Sequence, residues 1–209
     1  MAQAILLHLS YIQSVSDTKL LAESSIRYPL VEFAERRFRP SPVKIELEFS
    51  HPTFAKRRCD LLIEDSFSQN VFEFKYVRED THNDFQEYFN DFLRLHNLHT
   101  LGFGTFFIVC GNSILFNKEF RNTKVGTKLL GTKRGRPSGI FSKCLSFSSN
   151  NPKKIIDTNK FKANYSEFTC EYKFKKKGGS HPSNQLFETR LVFLKYDGTP
   201  QSIGVWEVL

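Results

Sequence analysis

The apolar positions of the chain change period along its length, and each period predicts an element. From residue 17 to residue 38, Leu20, Leu21, Leu30, Val31, Ala34 and Phe38 recur at roughly helical spacing, with Ser16 or Asp17 as N-cap. Pro29 interrupts this pattern, so it either kinks one helix or opens a second as a first-turn proline. Pro40 and Pro42 end the stretch. Three runs of strand character follow, at residues 43–49, 58–64 and 70–77. In the first, Ile45, Leu47 and Phe49 alternate with Lys44, Glu46 and Glu48, the period of a strand with one buried face, which places it near a sheet edge. Residues 81–97 carry Phe85, Tyr88, Phe89, Phe92 and Leu93 at the i, i+3, i+4, i+7, i+8 spacing of an amphipathic helix. A short apolar strand at 105–110, closed by Gly111-Asn112, completes the order helix, three strands, helix, strand.

Beyond residue 120 the pattern weakens into Gly, Ser, Asn and Lys, and residues 121–165 read as a long basic loop. It recovers in three antiparallel strands at 167–175, 185–196 and 203–208, the last two joined by a turn at Tyr196-Asp197-Gly198-Thr199-Pro200. The reading is α/β: a core over residues 1–120 with a mixed, mainly antiparallel sheet flanked by two helices, and a basic, β-rich extension over 121–209 packed on that core. There are no internal repeats.

Composition narrows the classes. With 209 residues, 40% of them hydrophobic and 25% charged, the chain is neither a disordered tail nor a collagen-like rod. No run of about 18 apolar residues predicts a membrane-spanning helix. Met1-Ala2-Gln3-Ala4-Ile5-Leu6-Leu7 has no basic flank and no small-residue cleavage site behind it, so a cytoplasmic location is expected. Cys59, Cys110, Cys144 and Cys170 form no CxxC pair and read as buried, reduced thiols. The 22 phenylalanines read as core, and the six histidines have no metal-ligand spacing. Charge is the exception to this ordinary picture. Residues 121–178 hold 15 Lys/Arg and 3 Asp/Glu, a net of +12, and the rest of the chain holds 15 against 19, a net of −4; the sum is the total of +8. So one-sided a block is suited to a polyanion, because each neutralised phosphate releases condensed counterions, and DNA becomes the expected partner.

The candidate chemistry lies in the strands. Glu73 and Lys75 share one strand face, and Phe72, Phe74 and Tyr76 share the other. If the second and third strands form a hairpin around residues 65–68, Glu64 lies opposite Gln69, and counting back sets Asp60 opposite Glu73. Opposed residues have Cβ atoms roughly 4.5–5.5 Å apart. Two acids so placed repel unless a cation lies between them, and oxygen-only donors suit Mg²⁺ or Mn²⁺.

Asp60 followed by Glu73-Phe74-Lys75, on a hairpin between two helices, resembles the PD-(D/E)XK nuclease superfamily over roughly residues 17–110. The resemblance implies a restriction-endonuclease-like core: helix, three-stranded antiparallel meander, helix, strand. It implies that Asp60 and Glu73 hold a divalent metal together with Glu23, which precedes Tyr28-Pro29-Leu30-Val31 on the first helix, although Glu32 and Glu35 compete for that part. Lys75 then orients or helps to deprotonate the attacking water and stabilises charge on the phosphate, and Gln86, at the start of the second helix, is a positioning group. One departure is that Cys59 stands where the superfamily's name-giving proline precedes the aspartate. A second signal, Lys133-Arg134-Gly135-Arg136-Pro137, resembles the AT-hook core, whose arginines meet the enhanced negative potential of a narrow minor groove. Lys124, Lys128 and Lys143 flank it as phosphate contacts, and Lys175, Lys176 and Lys177 form another basic patch.

The leading expectation is therefore a Mg²⁺-dependent endodeoxyribonuclease, a restriction or defence enzyme, for which cutting both strands implies a homodimer. A noncatalytic DNA-binding protein on a nuclease-like scaffold and an RNA-directed nuclease are the alternatives.

Overall fold

The computed structural model describes residues 1–15, 22–37, 42–54, 56–77, 85–120, 141–158, 186–196 and 200–209. The protein is mixed α/β, with a seven-stranded sheet in the order β1-β2-β3-β4-β7-β6-β5. β1 (Lys44–Ser50), β2 (Arg58–Glu64) and β3 (Gln69–Val77) form the expected antiparallel meander, with β1 at the sheet edge. β4 (Gly104–Asn112) runs parallel to β3, a pairing that needs a crossover, and α3 (Phe85–Thr100) lies between them in sequence. β5 (Lys153–Asp157), β6 (Leu186–Lys195) and β7 (Gln201–Val208) add antiparallel strands beyond β4, so the C-terminal strands extend the same sheet.

Strand alternation sends side chains to two apolar layers. Phe72, Phe74, Tyr76 and Ile108 pack with α1 (Ala2–Val15) and α2 (Ser24–Arg37) through Ile5, Leu9, Ile26 and Leu30. On the other face, Val71, Phe107 and Val109 pack with Phe89, Phe92 and Leu93 of α3. Burying each of these side chains contributes on the order of 2 kcal/mol. The single tryptophan, Trp206, is fully buried on β7 and donates its indole N–H to the Ser146 carbonyl at 2.8 Å, which ties the 144–147 segment to the sheet.

Several expectations need correction. The helix placed over 17–38 is α2, which begins at Ser24 with Pro29 in its interior, so Pro29 is not a first-turn proline. Residues 16–21, with the Ser16 and Asp17 cap, lie outside the described residues. The apolar start of the chain is helix α1, whose Ile5, Leu6 and Leu9 enter the core. Asn112, read as the close of a strand, also caps α4 (Ser113–Phe120), because its Oδ1 accepts the Ile114 and Leu115 N–H groups. Within the supposed basic loop, α5 (Phe141–Cys144) and β5 are ordered elements, the latter held by pairing with β6. The strand expected at 167–175 and the tip of the 196–200 turn are outside the described residues, whereas β6 and β7 fall where the pattern placed them. Cys59, Cys110 and Cys144 are free and buried, and Cys170 is not among the described residues. Among the described residues, no helix is long and apolar enough to cross a membrane.

One buried histidine ties the β1–β2 connection to α3. His51 Nδ1 accepts the Thr53 and Phe54 N–H groups, which leaves Nε2–H to donate to the Arg94 carbonyl at 3.2 Å, so the ring is neutral. Burial pushes its pKa down from 6.5 to about 4. The unfolded chain therefore takes up a proton at a pH where the folded chain does not. Stability from this ring is full above pH 6.5 and is lost as the pH falls towards about 4. Urea unfolding between those limits is expected to show a parent midpoint that falls with acidification more steeply than that of His51→Gln; parallel curves would sink the assignment.

Candidate active site

The β2–β3 hairpin is set by its turn. Asp65 Oδ1 accepts the Phe67 and Ser68 N–H groups at 2.7 and 2.8 Å, and the ladder then runs Glu64–Gln69, Ile63–Asn70, Leu62–Val71 and Leu61–Phe72. This is the register that the sequence predicts, but it stops one step short of Asp60 and Glu73. There the carboxylate of Asp60, in place of a main-chain group, accepts the Phe74 N–H at 2.7 Å. Strict alternation also fails here. Leu61 packs on the α1/α2 side while Cys59 packs on the α3 side, and Glu48, which lies between the β1–β2 pairs Leu47–Leu61 and Phe49–Cys59, has φ 53°. The expected Asp60–Glu73 cross-strand pair is thus an Asp60 carboxylate built into the opening between two strands.

Around this opening the residues singled out in the sequence meet four that were not. Asp60 Oδ1 accepts from Arg27 of α2 at 2.6 Å, and the same guanidinium contacts Glu48 at 2.9 Å. Glu73, 2% exposed, accepts from Arg94 of α3 through Nη2 at 2.7 Å and Nε at 3.2 Å. Lys75 lies 3.1 Å from Asp91 of α3 and 3.8 Å from Glu23, and Asp91 in turn pairs with Arg94. Glu23 sits in the turn just before α2, at the entry to the second helix of the chain and not on the first. Its carbonyl accepts the Arg27 N–H at 3.3 Å, which sets Arg27 one turn further along α2. Glu32, the rival acid, instead forms an exposed pair with Arg36, and Glu35 is exposed. Gln86 falls in the first turn of α3, with its side chain outside the described set.

Electrostatics couple these groups. Burial, then Asp91, push the Glu73 carboxyl well above its ordinary value, against the pull of Arg94. Burial also raises Glu23, with Lys75 pulling the other way. For Lys75, burial works against the charge, but Asp91, Glu23, Glu73 and Asp60 together outweigh it and hold the ammonium above the usual lysine range. Cys59, in the position before Asp60, is held as a thiol by burial and by nearby Glu73. Its sulfur is no nucleophile.

No family model, curated protein or solved structure matches the chain. The site therefore has to be read from its own chemistry. Glu23, Glu48, Asp60, Glu73 and Asp91 face Arg27, Lys75 and Arg94: five acids and three bases, an excess of two negative charges when all are ionised. Hard carboxylate oxygens with that surplus fit a divalent cation such as Mg²⁺ or Mn²⁺ in donor chemistry. In arrangement, no three described Asp, Glu, His or Cys residues are grouped as a ligand set. Protein cations hold the acids instead: Arg27 holds Asp60, and Arg94 holds Glu73.

Arg27, Asp91 and Arg94 escaped the sequence reading, as did the part of Glu48, which reads only as a polar position of β1. The available signal was the opposite charge of Asp91 and Arg94 at i, i+3, beside Phe92 and Leu93 on the buried face of the clearest helix. The AT-hook-like segment 133–137, its neighbours Lys124 and Lys128, and Lys175–Lys177 lie outside the described residues; Lys143 is described and exposed.

Proposed function

We propose that the chain is a metal-dependent endonuclease of PD-(D/E)XK type that hydrolyses phosphodiester bonds of DNA, in a restriction or defence role. One observation carries the reading: Asp60, Glu73, Lys75 and Glu23, drawn from three segments, converge on the second half of β3, a strand flanked on both sides. Burying such charges costs several kcal/mol per ion before pairing, so stability alone favours apolar residues in a central strand. A cluster of acids around a lysine, with a buried carboxyl such as Glu73 pushed well above its ordinary value, is what active sites build. The order of helix, three antiparallel strands, helix and parallel strand supports the same reading.

In this reading Glu23, Asp60 and Glu73 hold Mg²⁺, or Mn²⁺ in its place. The ion, when bound, polarises a phosphate oxygen and lowers the pKa of water. Lys75, kept charged by its four acidic neighbours, stabilises negative charge on the phosphate and orients the attacking water. Asp91 and Arg94 fix the rotamers of Lys75 and Glu73, and Gln86 positions the substrate. The +12 block at 121–178, with Arg134-Gly135-Arg136-Pro137, supplies the affinity for DNA, and two copies cut the two strands.

The test is cleavage of supercoiled plasmid, linear duplex, single-stranded DNA and RNA with Mg²⁺, Mn²⁺ or EDTA. Metal-dependent cutting of DNA that is lost in Glu73→Ala is the expected result. Cutting confined to RNA would replace the substrate class. The absence of a preassembled ligand trio among the described residues favours a second reading, a noncatalytic DNA-binding scaffold. Salt-sensitive binding by a parent that cuts none of the four would establish it.

A further inference from the structure

The cation at Asp60 belongs to the protein. Arg27 reaches Asp60 Oδ1 at 2.6 Å and Glu48 Oε1 at 2.9 Å, so its guanidinium bridges two carboxylates where a metal site needs free oxygens. A guanidinium and a divalent ion cannot share that oxygen: they compete for its lone pairs and repel each other at close range. Two features make the guanidinium a movable occupant. Its side chain is 22% exposed, so an incoming anion can reach it. Its Nε is buried without a hydrogen-bond partner among the described residues, so the donor fork is only partly used. Paired N–H groups of this kind match a phosphate, which accepts two parallel hydrogen bonds. Glu48, the outer carboxylate, is 48% exposed and sits at φ 53°, an uncommon backbone state for a residue other than glycine.

We propose that Arg27 is a resident counter-ion that keeps the carboxylate centre closed to divalent cations until a backbone phosphate of bound DNA draws the guanidinium away. The inference rests on the nuclease reading and adds a condition to it: metal and DNA both favour the state in which Arg27 has left Asp60. Each therefore raises the affinity for the other by the same factor, as linkage requires. The arrangement also keeps free protein from holding an armed metal centre, because Asp60 and Glu73 are paired with cations of the protein itself.

The experiment measures Mn²⁺ binding to the full-length chain from the electron paramagnetic resonance signal of free Mn²⁺, with and without a short phosphorothioate duplex that resists cutting. Asp60→Asn gives the background from ions on the duplex itself. Parent protein is expected to bind Mn²⁺ at least about tenfold more tightly with the duplex than without it. Arg27→Met, which keeps an apolar stem but no charge, is expected to bind Mn²⁺ without DNA about as well as the parent does with DNA, and to lose the coupling. Equal Asp60-dependent binding by the parent in both conditions overturns the counter-ion role and leaves the nuclease reading standing. No Asp60-dependent Mn²⁺ binding in either protein, with or without DNA, overturns both. The parent comparison decides the matter even where Arg27→Met fails to fold.

Discussion

Replacing Lys75 by methionine is expected, under the nuclease proposal, to slow metal-dependent cleavage by about 10²- to 10⁴-fold while DNA affinity changes little. Methionine keeps a flexible apolar stem that fills the space of the lysine stem beside Tyr88, whose ring centroid lies 5.8 Å from the ammonium. What it removes is the charge that four acids hold in place. Asp91 keeps its pair with Arg94, so it is not left without a cation, and the thermal midpoint should fall by less than it does when an arginine of the cluster is removed. The loss should appear in kcat with KM nearly unchanged, the pattern of an interaction that strengthens only in the transition state. Lys75→Arg is not expected to rescue, since a planar fork cannot take the place of a compact ammonium between Asp91 and Glu23. Cutting by Lys75→Met at the parental rate would remove the residue from the chemistry.

How far the site was legible follows from which forces act locally. Alternation along β3 separated Glu73 and Lys75 from the Phe72, Phe74 and Tyr76 stripe, and the Asp65 turn fixed the hairpin register, because both are properties of neighbouring residues. The same count failed at its last step. Glu48, with its positive φ, and Asp60, which takes the Phe74 N–H, both pair with Arg27, thirty-three positions before Asp60 in the chain, and no local period reports that. β5 was invisible for a related reason: Lys153-Lys154-Ile155-Ile156-Asp157 has one buried apolar residue and owes its extended form to β6. Helix α1 carries a readable signal in Ile5, Leu6, Leu9 and Ile12, which follow helical spacing, although the same apolar start also has the length of a leader's core. Asp91 and Arg94 are the most instructive omission. Charged residues on a helix normally face water, and only the acid and lysine of β3 give these two a reason to be buried.

That reason makes Arg94 a costly side chain to remove. Arg94→Ala leaves Glu73, fully enclosed, without its two guanidinium hydrogen bonds, and takes from Asp91 its close partner. Breaking a buried pair from one side costs about 3–5 kcal/mol. For a chain of this length that corresponds to a midpoint lower by about 6–20 °C. The pH dependence separates this cause from loss of packing. Glu73 already holds its proton above the ordinary carboxylate range, and losing Arg94 raises it further, so the variant's folded state binds a proton that its unfolded state has released. Stability of the variant relative to the parent therefore falls as the pH rises through the parent's own raised Glu73 value and is regained below it, where Glu73 is protonated in both folded proteins. Pairing Arg94→Met with Glu73→Gln should recover much of the loss at neutral pH, because a neutral pair of similar volume leaves no buried charge unpartnered. A deficit that is the same at every pH, and that the second substitution does not reduce, would mean that Arg94 acts through the space its side chain fills and not through the carboxylate it holds.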